Sequence, residues 1–227
     1  MNRVITVDGP AGSGKSTIAQ RLAHVLLFKH LNSGLLYRGL TYAAIKYARF
    51  SPEDRSWPDG DDPFLDLYPR LSVKFGQDGG MTVLFDRESV NSQANSLEVS
   101  KLVPNLSKIA SVRAFVRAMQ HDIAKEFNVV ADGRDCGFEV FPRAIVKIFL
   151  TATLDQRAKR VFERSKQQGV LTSLAETKES LALRDYADET RSIAPLRKAA
   201  DAVVIDSTDM SIMDVLKKII CIAVPKL

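Results

Sequence analysis

Along this chain, short apolar runs alternate with amphipathic stretches. Four runs, Val4-Ile5-Thr6-Val7, Val129-Val130-Ala131, Val146-Lys147-Ile148-Phe149-Leu150 and Ala202-Val203-Val204-Ile205, have the length and β-branched content of strands. Each is largely apolar from end to end, as a strand covered on both faces must be. Helical patterns fill the intervals at 15–27, 35–47, 112–127, 154–168, 175–191 and 211–222. Strands alternating with helices predict an α/β layered fold, a parallel sheet with right-handed crossovers and a site at the carboxyl ends of its strands.

Two regions depart from that alternation. Residues 51–69 are rich in Pro, Asp and Gly and read as an exposed loop, after which 71–75 and 81–85 flank Gly76-Gln77-Asp78-Gly79-Gly80, a hairpin signal. An antiparallel hairpin inserted into a parallel-sheet protein predicts a small satellite unit. Residues 157–191, dense in Arg, Lys, Glu and Gln around Gly169, predict two solvated helices able to hinge.

Between the first apolar run and the first helix stands Gly9-Pro10-Ala11-Gly12-Ser13-Gly14-Lys15-Ser16-Thr17. Glycines at fixed places let a backbone wrap round a phosphate chain, its N–H groups pointing inward and the dipole of the following helix behind them. In such a loop Lys15 reaches the β- and γ-phosphates and the Ser16 hydroxyl holds Mg²⁺. A plain glycine-rich strand-to-helix turn leaves Lys-Ser-Thr in register unexplained.

Composition narrows the class. At 227 residues, 45% hydrophobic and 26% charged, the chain is an ordinary globular one, not disordered, collagenous or coiled coil. No apolar run approaches the roughly 18 residues of a membrane span, and Met1-Asn2-Arg3 leads straight into the first strand, so neither a membrane partner nor a signal peptide is expected. Cys136 and Cys221 supply no disulfide framework and no four-ligand zinc site, which fits a reducing cytoplasm. A net charge of +5 suits polyanionic ligands, nucleotide or nucleic acid. Aromatics at 7%, with charges of both signs mixed along the chain, argue against a nucleic-acid-binding stripe.

Three further constellations carry chemistry. In Asn32-Ser33-Gly34-Leu35-Leu36-Tyr37-Arg38 a helix opens and presents an arginine one turn in, a second anion site; read singly, Ser33 is an N-cap and Tyr37 a core ring. In Asp132-Gly133-Arg134-Asp135, Asp132 ends a buried strand where a carboxylate can hold the water shell of magnesium, and Arg134 adds charge to the same crevice; the alternative is a turn closed by an Asp–Arg pair. Arg184, Asp188 and Arg191, at i, i+4 and i+7, share one helical face. On a surface such a ladder contributes about 0.2 to 0.5 kcal/mol per pair. Facing the phosphate loop, its arginines can neutralise a transferring phosphoryl group, worth about 10³ to 10⁵ in rate. Arg157 and Arg160 are candidates for the ATP side, with surface solvation as the alternative. His24, His30 and His121 show no partner pattern and receive no role.

Taken together, Gly9 to Thr17, Ser33-Gly34 with Tyr37-Arg38, Asp132-Gly133-Arg134-Asp135 followed by Val140-Phe141-Pro142, Lys147 to Ala152, and Arg184-Asp185 with Arg191 and Ala194-Pro195-Leu196 resemble the bacterial cytidylate kinases, in order over nearly the whole chain. The resemblance implies a three-layer P-loop nucleoside monophosphate kinase fold. Its core covers about 1–34, 128–156 and 194–227, a monophosphate-binding domain with the hairpin-bearing insert about 35–127, and a short helical lid about 157–193. It implies in-line transfer of the ATP γ-phosphoryl to CMP or dCMP with Mg²⁺ as cofactor, by a cytoplasmic monomer with no nucleic-acid or membrane partner. By the same resemblance Lys15, Arg134, Arg184 and Arg191 are catalytic. The loop from Gly9 through Pro10, Ala11, Gly12, Ser13, Gly14, Lys15 and Ser16 to Thr17 binds ATP with Arg157 and Arg160, and Ser16 with Asp132 through water holds the metal. Ser33, Tyr37, Arg38, Arg134 and Arg191 surround the monophosphate, Arg184 and Asp188 the sugar or phosphates, and Arg113 and Asp135 the cytosine ring. Cytosine offers an N4 amino donor that a carboxylate accepts, and N3 and O2 acceptors that a guanidinium donates to. By itself, Arg113 on a helix reads as a solvated surface residue.

This sequence departs from the family's pattern at three places. Asn32 stands where the family usually has Asp, Pro104 where it commonly shows a base-contacting serine, with Ser107 one turn on, and Phe138-Glu139 where it prefers small or β-branched residues. Two rival readings remain: a kinase for another nucleoside monophosphate or for shikimate, and a P-loop regulatory or nucleic-acid-binding module.

Overall fold

The structure, a computed structural model, describes residues 2–47, 62–167, 169–191 and 193–227. Its strands are β1 (Val4–Asp8), β2 (Lys29–Asn32), β3 (Leu71–Phe75), β4 (Met81–Phe85), β5 (Glu88–Ser89), β6 (Val129–Gly133), β7 (Val146–Thr151) and β8 (Val203–Asp206). The helices are α1 (Lys15–Leu26), α2 (Ser33–Lys46), α3 (Asn91–Ala94), α4 (Leu97–Leu106), α5 (Ala110–Glu126), α6 (Leu154–Gln167), α7 (Leu174–Thr190) and α8 (Ile212–Ala223). The six predicted helices are α1, α2, α5, α6, α7 and α8, each starting and ending within two residues of expectation. Neither α3 nor α4 was expected, since Pro104 lies inside α4 and breaks the apolar period that marks a helix.

A parallel five-stranded sheet runs in the order β2-β6-β1-β7-β8. The four predicted strands form its interior and one edge. The fifth, β2, escapes a search for apolar runs because Lys29-His30-Leu31-Asn32 is an edge strand with only one aliphatic residue. On one face Ile5, Val7, Val130, Ile148, Leu150 and Ile205 pack with Ile18 and Leu22 of α1 and with Leu216 and Ile219 of α8. On the other, Leu31, Val129 and Ala131 pack with Leu36 and Leu40 of α2 and with Val112 and Val116 of α5. Burying each such side chain contributes about 1.5 to 3 kcal/mol, so both helical layers are held by the strands they cover.

The hairpin β3–β4, extended by β5, forms a three-stranded antiparallel sheet in the expected register, Leu71 opposite Phe85 and Phe75 opposite Met81. It is not a satellite. Leu71, Met81, Val83 and Phe85 belong to the same apolar cluster as α2, α5 and the sheet face, and Gly79 in its turn accepts a hydrogen bond from His30 N–H at 3.0 Å. Most of the loop predicted over 51–69 lies outside the described residues, but its end is not exposed: Phe64 and Leu67 are fully buried.

The register of the sheet sets the site. Asp8 pairs with Gly133 and Val7 with Asp132 across β1–β6, and Asn32 pairs with Asp132 across β2–β6. The phosphate loop, the start of α2 and the Asp-Gly-Arg-Asp turn therefore leave neighbouring strands at the same end of the sheet.

Candidate functional site

The loop after β1 is shaped by two glycines. Gly9 has φ +147° and a Cβ there would sit 2.0 Å from the Leu150 carbonyl oxygen, so no other residue lets β1 and β7 lie this close. Gly14, in the left-handed region at φ +93°, caps α1 without a side chain, leaving the first-turn N–H groups uncapped for an anion. Lys15 is buried, and its Nζ donates to the Pro10 carbonyl at 2.8 Å. Ser16 Oγ donates to Asp132 Oδ2 at 2.6 Å, and the other oxygen of Asp132 meets His30 Nε2 at 2.7 Å.

At the second helix the cap is Asn32, not Ser33: its side chain accepts from Leu35 N–H at 2.9 Å. The residue that departs from the family's usual acid is thus a good cap without charge. Ser33 Oγ instead donates to the buried Gln120 Oε1 at 2.6 Å. Arg134 Nε donates to Asp188 Oδ2 at 2.7 Å, and Arg191 Nη1 lies 3.7 Å from Asp188 Oδ1. Arg191 is the C-cap of α7 and not part of its helical face; its Nε donates to the Ala194 carbonyl at 2.6 Å, which turns it inward.

Arg113 is buried, contrary to the reading of a helix arginine taken alone. It pairs with Asp135, and its Cζ lies 6.0 Å from the centre of the Tyr37 ring. Among the described residues, Arg113 Nε and Arg38 Nε are buried donors without a partner. Ser107 is buried beside them, its hydroxyl donating to the Pro104 carbonyl at 3.1 Å.

These groups line one cleft of about 410 Å³. Seven of its lining side chains are cationic (Lys15, Arg38, Arg113, Arg134, Arg164, Arg184, Arg191) and three anionic (Asp132, Asp135, Asp188). The imbalance shows in the titrating groups. Burial, reinforced by Arg134, pushes Lys15 well below its ordinary value, and burial likewise lowers Arg38 and Arg191. Burial works to raise Asp188, but Arg134, Arg184 and Arg191 outweigh it and hold the carboxyl below its usual range. Positive charge crowded together out of water is stabilised by bringing in anions.

A family model described as cytidylate kinase matches residues 5–224. The chain is 40% identical over 217 residues to cytidylate kinases of Halalkalibacterium halodurans and Caldicellulosiruptor bescii, covering 95% of this chain in both and 95% and 93% of the relatives. It is 41% identical to that of Chlamydia muridarum, over 96% of each chain. The chain belongs to the cytidylate kinase family. It is accordingly a phosphotransferase with the P-loop kinase fold. A solved structure from Chloroflexus aurantiacus overlays all of this chain with a TM-score of 0.50 at 11% identity, a likeness of fold alone.

Within this kinase, not every expected residue reaches the cleft. Ala11, Gly12, Gly14, Lys15, Ser16 and Thr17 line it, whereas Gly9, Pro10 and Ser13 form the back of the loop. Arg157 is buried behind the loop and donates to the Ala11 and Ala152 carbonyls and to Asp185 at 2.9, 3.0 and 2.6 Å. It braces α6, α7 and the loop instead of lying solvated. Arg160 turns to Ser207, with bonds of 3.0 and 2.5 Å. Arg164 and Ser165, one turn further along α6, line the cleft instead. The sequence offered no signal separating Arg157, Arg160 and Arg164, because which face of α6 turns inward depends on α7.

One other departure acquires a reason. Glu139 pairs with Arg117 of α5, which ties the turn after Asp135 to that helix. His121 donates to the Val140 carbonyl at 2.7 Å beside it. Nothing in the structure explains Phe138, which is exposed.

Asp8, not anticipated, closes β1 and accepts N–H bonds from Cys136 at 2.9 Å and Gly137 at 2.7 Å, fastening the turn after Asp135 to the start of the phosphate loop. Burial raises its carboxyl from 3.8 to about 6, partly opposed by those two bonds. Its folded value lies above its unfolded one, so the stability it contributes is complete below 3.8 and lost as pH rises through about 6. Carboxyl ¹³C shifts should show Asp8 titrating near 6, and unfolding free energy should lose up to about 3 kcal/mol from this group over that span. A midpoint near 3.8 would contradict the burial argument.

The described residues contain no helix long and apolar enough to cross a membrane. Cys136 is buried and Cys221 exposed, both as free thiols.

Proposed function

We propose that this kinase transfers the γ-phosphoryl group of ATP in line to CMP and dCMP. One observation carries the reading: a single cleft with a phosphate loop at one end, a buried Arg113–Asp135 pair at the other, and Arg38, Arg134, Arg184 and Arg191 between them. The loop N–H groups and Lys15 hold the triphosphate. Arg38, Arg134 and Arg191, with Ser33 and Tyr37, hold the acceptor's phosphate, while Arg184 and Asp188 reach its sugar or phosphates. These cations hold two anions together against their repulsion, and a phosphate oxygen already lacking its proton needs no strong base.

The Ser16 hydroxyl, donating its hydrogen bond to Asp132, keeps lone pairs free for a cation, and Asp132 is anionic: burial pushes it up, but His30, Ser16 and Lys15 outweigh burial and lower it. Those two residues fit Mg²⁺, Ser16 directly and Asp132 through water; bound there, the ion would neutralise charge on the triphosphate. At the base, Asp135 accepts from the N4 amino group and Arg113 donates to O2 and N3. Uracil reverses the pattern at N3 and position 4, leaving buried groups unpaired.

On this reading the chain divides into a core (about 1–34, 128–156 and 194–227), a monophosphate-binding domain (about 35–127) and a lid (about 157–193). The lid's Arg164, Arg184 and Arg191 complete the cleft and exclude the water that would otherwise hydrolyse ATP. A coupled ADP-release assay against CMP, dCMP, UMP, AMP and shikimate tests the assignment. CMP and dCMP should exceed the others in kcat/KM by about 100-fold or more. Preference for any other acceptor overturns it.

A further inference from the structure

Each oxygen of the buried Asp132 carboxylate has one side-chain partner, Ser16 on Oδ2 and His30 on Oδ1, and all three residues come from different elements. A carboxylate oxygen 2.7 Å from an imidazole nitrogen, with its partner oxygen already accepting from Ser16, is placed as an acceptor, so His30 Nε2 donates. His30 lies two residues before Asn32 on β2 and therefore projects from the same face; Asn32 stands opposite Asp132 and His30 opposite Val130. The imidazole thus reaches Asp132 diagonally from behind, while Ser16 reaches it from the loop. His30 is not among the residues lining the cleft, so it does not meet a nucleotide there.

We infer that His30 is a positioning residue for Asp132: its N–H holds Oδ1, aims Oδ2 at Ser16 and the water shell of Mg²⁺, and keeps the carboxylate off Lys15. The inference rests on the metal role proposed for Asp132. Without the imidazole, Oδ1 would be a buried anionic oxygen with no donor, a costly state. Lys15 already interacts electrostatically with Asp132, so the carboxylate would turn to it. That pairing would take the loop's cation from the phosphates and the carboxylate from the metal. With His30 in place, Lys15 Nζ rests on the Pro10 carbonyl at 2.8 Å, a neutral partner that anions readily displace.

The test reads the metal without turnover. Mn²⁺ binding to the enzyme with ADP and no acceptor is followed by loss of the free-ion electron paramagnetic resonance signal. His30→Met removes the donor at similar volume and should weaken Mn²⁺ binding about 10-fold, the low end for an outer-sphere partner. The Mg²⁺ concentration for half-maximal velocity should rise by the same factor, with the KM for CMP within about twofold. His30→Gln, which retains an N–H donor, should recover most of the loss. Asp132→Asn is measured alongside. If it weakens Mn²⁺ binding and folded His30→Met does not, or if His30→Met and His30→Gln are equally impaired, the inference about His30 fails. If neither Asp132→Asn nor His30→Met has an effect, the metal role of Asp132 falls and the inference with it. Should His30→Met not fold, ¹⁵N spectra of the wild-type imidazole decide: Nε2 protonated with and without Mg²⁺ and ADP supports the inference, and a bare Nε2 overturns it.

Discussion

Lys15→Ala should abolish turnover, lowering kcat by about 10³-fold or more, while the fold survives. The side chain is buried, yet it does not belong to the apolar clusters; its Nζ donates to the Pro10 carbonyl, and burial with Arg134 and Arg184 holds it well below its ordinary value. Its charge is therefore held at a cost to the fold. Removing it relieves repulsion toward the two arginines at the cost of one hydrogen bond, so the two effects oppose each other. In the transition state nothing replaces it, because on the proposed reading Arg134 and Arg191 serve the acceptor's phosphate and not the β- and γ-phosphates at the loop. Steady-state kinetics with a thermal melt in parallel make the measurement. Residual turnover within tenfold of wild type, in a protein that melts normally, would remove Lys15 from the chemistry.

Asp135→Asn should reduce the preference for CMP over UMP in kcat/KM by about 10²- to 10³-fold. An amide can turn its NH₂ toward the O4 of uracil, an interaction the carboxylate forbids, and it no longer presents a full charge to the N4 amino group of cytosine. Stability should fall less than selectivity does, by no more than about 2 kcal/mol, because the amide oxygen still accepts from Arg113. Arg113 keeps its contact near the Ser107 carbonyl, at 3.4 Å, and its place beside Tyr37, whose hydroxyl burial pushes up to about 12. Competition between the two nucleotides under identical Mg²⁺ and ATP reads the ratio directly. An unchanged ratio would take Asp135 out of the base pocket.

Much of the architecture was legible because its causes are local. Lys15 to Leu26 is helical from its own periodicity and from the glycine that opens it, and the β3–β4 register follows from the alternation around a glycine turn. Signals that depend on distant partners were illegible. The strand β2 is polar because the acceptor for His30 lies on β6, and α4 tolerates Pro104 within a helix that is packed on α2. Read singly, Ser33 suits a cap and Arg157 a solvated surface; Gln120 and Asp185, which they bond instead, stand 87 and 28 residues away.

By itself the sequence determined the donor half of this kinase. A loop needing φ +147° and +93° at Gly9 and Gly14, between an apolar strand and an amphipathic helix, has one physical use, and backbone dihedrals depend on nearest neighbours. Only the tertiary structure decided the rest of the site: which arginines turn inward, that Arg113 faces Asp135, and that His30 stands behind Asp132. Those outcomes depend on burial and on charges brought together from different elements, and no spacing along one chain segment encodes them.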